Sequence, residues 1–239
     1  MVMKYVKGVV LSRRLGRSLG INLLPDLICS EDCIYCECGT TRNLTLERKE
    51  YAPTDQVISE LDRFLKKRPV ADYITFSGLG EPTLHSGIGK IIDYLKDNYA
   101  DYKIALLTNS SLLHKAEVRA EIKRLDLIVP SLDAGTEKTF KKICRPAEGL
   151  TLQLILDGIE AVSNEFNGEI RLEILFLKGV NDSDREVNEL VDKIKDFKID
   201  KVDINTLNRA PAVSGYKPVS KERLIKISEK IPFKTEIYI

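Results

Sequence analysis

Short apolar or β-branched runs alternate with longer amphipathic stretches along most of this 239-residue chain. INLL (21–24), YITFS (73–77), KIALLT (103–108), LIVPS (127–131), IRLEILFL (170–177), KVDINTL (201–207) and TEIYI (235–239) have the length and composition of strands. Between them, residues 54–67 place Val57, Ile58, Leu61, Phe64 and Leu65 on one helical face. Segments 87–98, 115–124, 136–143, 152–166, 184–196 and 220–230 repeat that period with varying strength. Thr54, following Pro53, reads as the first helix's N-cap. Repeated strand–helix units predict an α/β fold, a parallel sheet with outer helices. About six units suit a partial (β/α)6 TIM-like barrel, because a full eight-unit barrel typically takes around 250 residues. A flat doubly wound sheet is the alternative.

The polar residues that interrupt this pattern fall at predicted strand ends. The loop 25–38, GLGEPT (78–83), Thr108-Asn109-Ser110, Ser131-Leu132-Asp133, Lys178–Asp182 and Asn205–Arg209 all follow a strand. In barrels and open α/β sheets that edge is the active-site face. Asn181-Asp182 reads as a turn and cap for the helix at 184–196, and Lys178 as a solvated lysine.

Charge changes the picture at one end only. Formal net charge is +1, so no overall field points to nucleic acid or membrane. Before the first acidic residue, Asp26, come Lys4, Lys7, Arg13, Arg14 and Arg17. Residues 1–20 are therefore set apart as a basic segment, a phosphate grip or a solvated lead-in, ahead of a barrel domain at 21–239. No run approaches the roughly 18 apolar residues of a membrane span, and the N-terminus lacks the apolar core of a signal peptide. A cytoplasmic location is expected, where clustered cysteines serve metals or redox chemistry more often than disulfides.

Four of the five cysteines lie within ten positions, CSEDCIYCEC at 29–38. A cluster this local staples nothing distant, which argues against a disulfide knot. Structural zinc usually draws two separated cysteine pairs, and no second pair or adjacent histidine is present. Three thiolates on a four-iron cube leave one iron open, the arrangement of a reactive rather than a purely structural metal site.

Cys29, Cys33 and Cys36 in C-x3-C-x2-C spacing, with Tyr35 before the last, closely resemble the radical S-adenosylmethionine (SAM) superfamily. SGLGEPT (77–83) is similar to its Gly-Gly-Glu-Pro motif. VPSLDAGTEKTFKKICRP (129–146) and FLKGVND (176–182) resemble its small Fe–S oxidoreductases related to the tRNA wyosine synthase. The resemblance implies that Cys29, Cys33 and Cys36 hold a [4Fe–4S] cluster whose open iron takes the methionine end of SAM. It implies that Gly78, Gly80 and Glu81 meet the amine and that Tyr35 lies by the adenine. Asn109, Ser131 and Asp133 would reach ribose or carboxylate. Reductive cleavage of SAM would give a 5′-deoxyadenosyl radical that abstracts substrate hydrogen, with ferredoxin or flavodoxin as electron donor. Arg145 and Arg209 are the candidate clamps for an anionic substrate, nucleic acid included. The alternatives are an activating enzyme that places a radical on a partner protein, and a non-enzymatic metal or electron carrier. The pattern departs from the family at Leu79 between the glycines, at Cys144 before Arg145-Pro146, where asparagine is expected, and at the extra Cys38. With no cysteine in 1–28 or after Cys144, one cluster is expected.

Overall fold

The computed structural model describes residues 3–239. The chain opens with a hairpin of β1 (Val6–Ser12) and β2 (Gly16–Ile21). Two short strands, β3 (Ile28–Cys29) and β4 (Asn43–Leu44), pair in parallel beneath the cysteine loop. There follow α1 (Thr54–Leu65), β5 (Tyr73–Phe76), a 3-10 turn (Pro82–Leu84), α2 (Ile88–Asn98), β6 (Lys103–Thr108), α3 (Ala116–Ile122) and β7 (Leu127–Pro130). The second half holds α4 (Glu137–Ile143), α5 (Leu152–Glu165), β8 (Glu169–Phe176), α6 (Asp184–Ile194), β9 (Lys201–Thr206), α7 (Lys221–Ser228) and β10 (Thr235–Tyr238). One sheet runs β1-β2-β5-β6-β7-β8-β9-β10, parallel throughout from β2 to β10. This is the mostly parallel, helix-covered sheet of a partial barrel, and each of the seven expected helices is present.

The N-terminal segment is part of that sheet. The boundary expected after residue 20 falls inside β2, and the strand expected at 21–24 starts at Gly16 and ends at Ile21. Its inner face explains why the pattern was weak. Ser18 and Gly20 point inward, where Ser18 Oγ shares a 2.7 Å hydrogen bond with Thr75 Oγ1, while Leu19 and Ile21 are fully buried on the helix side. Residues 1 and 2 of the basic segment lie outside the described residues. Arg17 is not free to grip a phosphate: its guanidinium donates to Asp72 at 3.1 and 2.6 Å and its backbone N–H at 2.7 Å.

Alternation along β8 and β9 builds two surfaces. Ile170, Leu172, Ile174 and Phe176 bury against the helices, as do Val202 and Ile204. The opposite set faces the lumen, in parallel register: Arg171 beside Lys201, Glu173 beside Asp203, Leu175 beside Asn205. Glu236 and Tyr238 continue the last two rows on β10. On the β6–β7 side the lumen is apolar, filled by Leu15, Ala105, Leu127 and Val129. The barrel interior is thus charged on one side and greasy on the other.

Two caps differ from the sequence reading. Pro53, not Thr54, holds the N-cap position of α1, and the Thr54 N–H is taken by Glu50 Oε1 at 2.8 Å. Ser183 caps α6, accepting from the Glu186 N–H, which releases Asn181 for another role.

Candidate active site

The cysteine loop and the GLGEPT loop meet at the carboxyl ends of β2 and β5. Gly80 (φ +101°) pairs as an isolated bridge with Ile28, and Glu81 N–H donates to Ile28 O at 3.2 Å. A Cβ on Gly80 would stand 1.7 Å from that carbonyl oxygen, so only glycine allows the approach. Gly78 (φ +122°) is packed against Asn22, whose Oδ1 accepts from Leu79 N–H at 3.0 Å. Asn22 also donates to Leu24 O at 2.7 Å, which ties the exit of β2 to the glycine loop.

Glu81 turns inward and organises the next loop. Its Oε1 accepts from Thr83 N–H, Thr83 Oγ1 and Thr108 Oγ1 at 3.0, 2.6 and 2.7 Å, and Oε2 accepts from Asn109 N–H at 2.7 Å. With the carboxylate so engaged, the groups GLGE offers a ligand are mainly backbone ones. Burial raises the Glu81 carboxyl above its ordinary range. Asn109 in turn reaches the cysteine loop, donating through Nδ2 to Ser30 Oγ at 2.8 Å and toward Cys29 Sγ at 3.5 Å.

The thiols divide by environment. Cys36 is lowered to about 6, first by the Cys38 thiol's hydrogen bond and then by backbone N–H groups of Cys38 and Gly39. Cys38 is raised in return and its thiol donates to Gly78 O at 3.6 Å. Burial pushes Cys29 well up. Cys33 is half-buried with its thiol turned inward, toward Glu31 and Cys144; its hydrogen bond to Cys144, then burial, raise it. Glu31 is itself buried and raised by that burial.

Tyr35 and Asp133 find each other: the phenol donates to Asp133 Oδ2 while Asp133 Oδ1 accepts from Leu175 N–H at 2.7 Å. Burial pushes the Asp133 carboxyl up to about 7. Ser131 sits between β6 and β8, its N–H on Thr108 O and its backbone bridged to Glu173. Asn181, expected to cap a helix, is instead the bolt of this corner. Buried to 1% exposure, it donates to Asp133 O (2.8 Å) and Leu175 O (2.7 Å) and accepts from Leu177 N–H (2.7 Å). Asn181→Ala strands these three partners and is expected to cost about 2–4 kcal/mol, read by urea unfolding.

A cavity of about 580 Å3 opens between the hairpin, the ends of β8 and β9, and the cysteine loop. Tyr35, Cys36, Glu173, Asn205 and Arg209 line it, together with Arg14 from the hairpin turn. Arg14 pairs with Glu173, and Arg209 with Glu37 at 2.8 Å, so both guanidiniums arrive already matched. Arg145 is not in this cavity. It holds Asp32 at 3.2 Å and borders a separate surface hollow beside Leu44 and Lys141, because its backbone (φ +46°) turns the chain away at the end of α4. His85 faces neither: fully buried, it accepts from Gly87 N–H on Nδ1 and therefore donates from Nε2 to Ala52 O. Lys178 is exposed, as a solvated lysine should be. Asn22, Glu31 and Glu173 are missed by the sequence pattern, and Asn181 and Asn205 stand in it only as members of strand-end polar clusters. The one signal for Glu173 was the polar–apolar alternation through EIRLEI (169–174), which marks a strand with a polar inner face.

The donor set suits an iron–sulfur cluster: three free thiols on one loop, inside a shell of backbone and amide donors. A profile of the Radical SAM superfamily matches residues 26–205. A protein named GTPase Obg from Brachyspira hyodysenteriae is 37% identical over 223 residues, 93% of this chain but only 33% of that protein's length. A UPF0026 protein of Methanocaldococcus jannaschii is 36% identical over 222 residues, 92% of this chain and 68% of that one. Among solved structures, a radical SAM methyltransferase from Sphaerobacter thermophilus superposes with TM-score 0.73 at 16% identity, over 96% of this chain and 68% of its own. TYW1 with a lysine-pyruvate adduct bound gives TM-score 0.63 at 13% identity, over 90% and 74%. At such identities the structures speak for the fold alone. Among the described residues no helix is long and apolar enough to cross a membrane. Because the profile runs through both the cysteine loop and the glycine loop that clasps it, the chain belongs to the radical SAM superfamily and is one of its enzymes.

Proposed function

We propose that Cys29, Cys33 and Cys36 hold a single [4Fe–4S] cluster, and that SAM binds against the GLGEPT loop with substrate in the adjoining cavity. When bound, the pair supplies reductive cleavage of SAM to a 5′-deoxyadenosyl radical, and hydrogen abstraction from the substrate. The observation that carries the reading is the clasp of Ile28 on Gly80, which sets the first cluster cysteine beside the glycine loop. The chain's own part is orientation and shielding. Gly78 and Gly80 let backbone carbonyls come close to a ligand amine. Asn109 donates toward Cys29, a contact of the kind that tunes a cluster's potential. Tyr35 and Asp133, held by Asn181, fix the wall toward which the nucleoside end would lie, with Ser131 in the same corner.

An anionic substrate, nucleic acid included, remains within this proposal, with Arg209 as the cavity's clamp. Such a group must displace Glu37 from Arg209 or Glu173 from Arg14. Arg145 does not serve that cavity. A ferredoxin or flavodoxin is the reductant proposed, in the cytoplasm. A second reading, a protein substrate, is favoured by β1. That strand forms the edge of the sheet, and exposed Val10 and Leu11 line the same cavity, a surface on which an extended peptide can add by strand pairing.

The test is anaerobic reconstitution with iron and sulfide, then SAM and dithionite, with 5′-deoxyadenosine read by mass spectrometry. The expected result is product from the wild type and none above background from Cys29→Ala. A chain that takes up no iron and binds zinc instead would sink the proposal.

A further inference from the structure

Cys144 has no part in the reading above, and its surroundings suit a ligand. We infer that Glu31, Cys33 and Cys144 form a site for a single thiophilic divalent cation such as Zn2+, and that its occupation withholds Cys33 from the cluster. One oxygen of Glu31 and the two sulfurs lie within 4.8 Å of one another. Ligands on a tetrahedral zinc stand about 3.7 Å apart, so the set closes with side-chain shifts on the order of 1 Å. The donor types, two thiolates and a carboxylate, are ones zinc accepts.

The frame around the three groups is rigid. Asp32 N–H donates to Cys144 O and Ile34 N–H to Ile143 O, both at 2.9 Å, so backbone bonds straddle the two cysteines. Glu31 bridges to Pro146 on the same two segments. A separate observation points to an occupant. A void of about 10 Å3, the room of one water-sized body, lies between Glu31, Cys144, Asn109, Ser131 and Asp133 on one side and Leu132, Phe140 and Ile155 on the other. Its polar side, against Glu31 and Cys144, is where a fourth, water ligand would sit. Asp133 and Glu81 add negative potential around Glu31. Binding exchanges the cation for the protons held by the two thiols and by Glu31, which leave to solvent, with no change of oxidation state.

Cys33 has one sulfur, and it cannot serve both centres. A chain loaded with zinc at Glu31, Cys33 and Cys144 would thus refuse iron and sulfide until the zinc is removed. Only this exclusion rests on the assignment of Cys33 to the cluster; the cation site itself does not.

Metal-free, anaerobic full-length protein titrated with Co2+ alone tests the site. One cobalt per chain is expected, with a thiolate-to-cobalt charge-transfer band. C144A should weaken binding at least about tenfold and halve the band, while E31Q weakens binding and leaves the band. C36A should keep the cobalt site. In the second arm, Zn2+ added before iron and sulfide should block iron uptake in the wild type and spare C144A, read as bound iron. Thermal melts check folding, and E31Q decides if C144A does not fold. Wild-type cobalt binding in C144A and E31Q with loss in C36A would overturn the inference, since the ion would then sit on the cluster thiols. Absence of any cobalt binding would overturn it too. Iron uptake without zinc, and 5′-deoxyadenosine production, report on the radical reading separately.

Discussion

Gly80→Ala is expected to lose on the order of 4 kcal/mol of stability, with a fall of about 10 °C in melting temperature and no retained iron. Two effects add. A φ of +101° puts a residue with a side chain into a region that costs about 1–3 kcal/mol. The new methyl would also meet Ile28 O at 1.7 Å and Ile28 C at 2.6 Å, both backbone atoms that cannot step aside without breaking the clasp. Gly149→Ala is the control. Its φ is also positive, +86°, but nothing lies within 4 Å of the added carbon, so only the conformational cost applies, about 1 kcal/mol. Calorimetric melts and iron content of both variants check this. Equal losses in the two would mean that the approach of Ile28 is not what demands glycine at position 80.

The apo chain is expected to lose stability as pH rises from about 4 to 7, and Asp133→Asn should remove much of that slope. The folded-state Asp133 carboxyl is pushed up from 3.8 to about 7 by burial. Between those values the folded chain keeps a proton that the unfolded chain has released. Folding is therefore favoured at the acid end, and the contribution is gone once pH passes 7. About three pH units correspond to on the order of 4 kcal/mol. Buried Glu31 and Glu81 act in the same direction. Cys36, lowered from 9.0 to about 6, acts in the opposite one: it adds stability as pH rises from about 6 to 9, because the folded thiol ionises first. Asparagine keeps an acceptor for the Leu175 N–H but cannot titrate. Urea melts at closely spaced pH values test this; parallel curves for wild type and D133N would place the titration elsewhere.

What was legible followed from local pattern. Helices such as α1 and α6 could be read because one apolar stripe repeats over eleven or more residues. Outer strands could be read because parallel strands bury apolar rows. β2 was obscured because Ser18 and Gly20 occupy its inner row, and β1 because its exposed Val9, Val10 and Leu11 sit on an edge that carries no alternation. In the site, the cysteine spacing and GLGEPT stood out by proximity in sequence. Pairings such as Tyr35 with Asp133, Cys33 with Cys144, or Arg14 with Glu173 join residues about a hundred or more positions apart, and no local period encodes them. The arginines at 145 and 209 looked alike as strand-end cations. Arg145 in fact follows α4, where a left-handed backbone turns it away, whereas Arg209 follows β9 and reaches the cavity.

The hairpin's contacts also set an order of events during synthesis. Arg14 waits for Glu173 on β8, about 160 positions later, so the pairing that ties the hairpin turn to the far side of the barrel cannot form until that strand has been made. The backbone that covers Cys33, at Ile143 and Cys144, likewise emerges long after the cysteines themselves. On the nascent chain the thiols at 29–38 would stand open, and iron for the proposed cluster would have to arrive in the interval before closure or through the finished cavity. Contacts this distant in sequence also make for slow folding, which lengthens that interval.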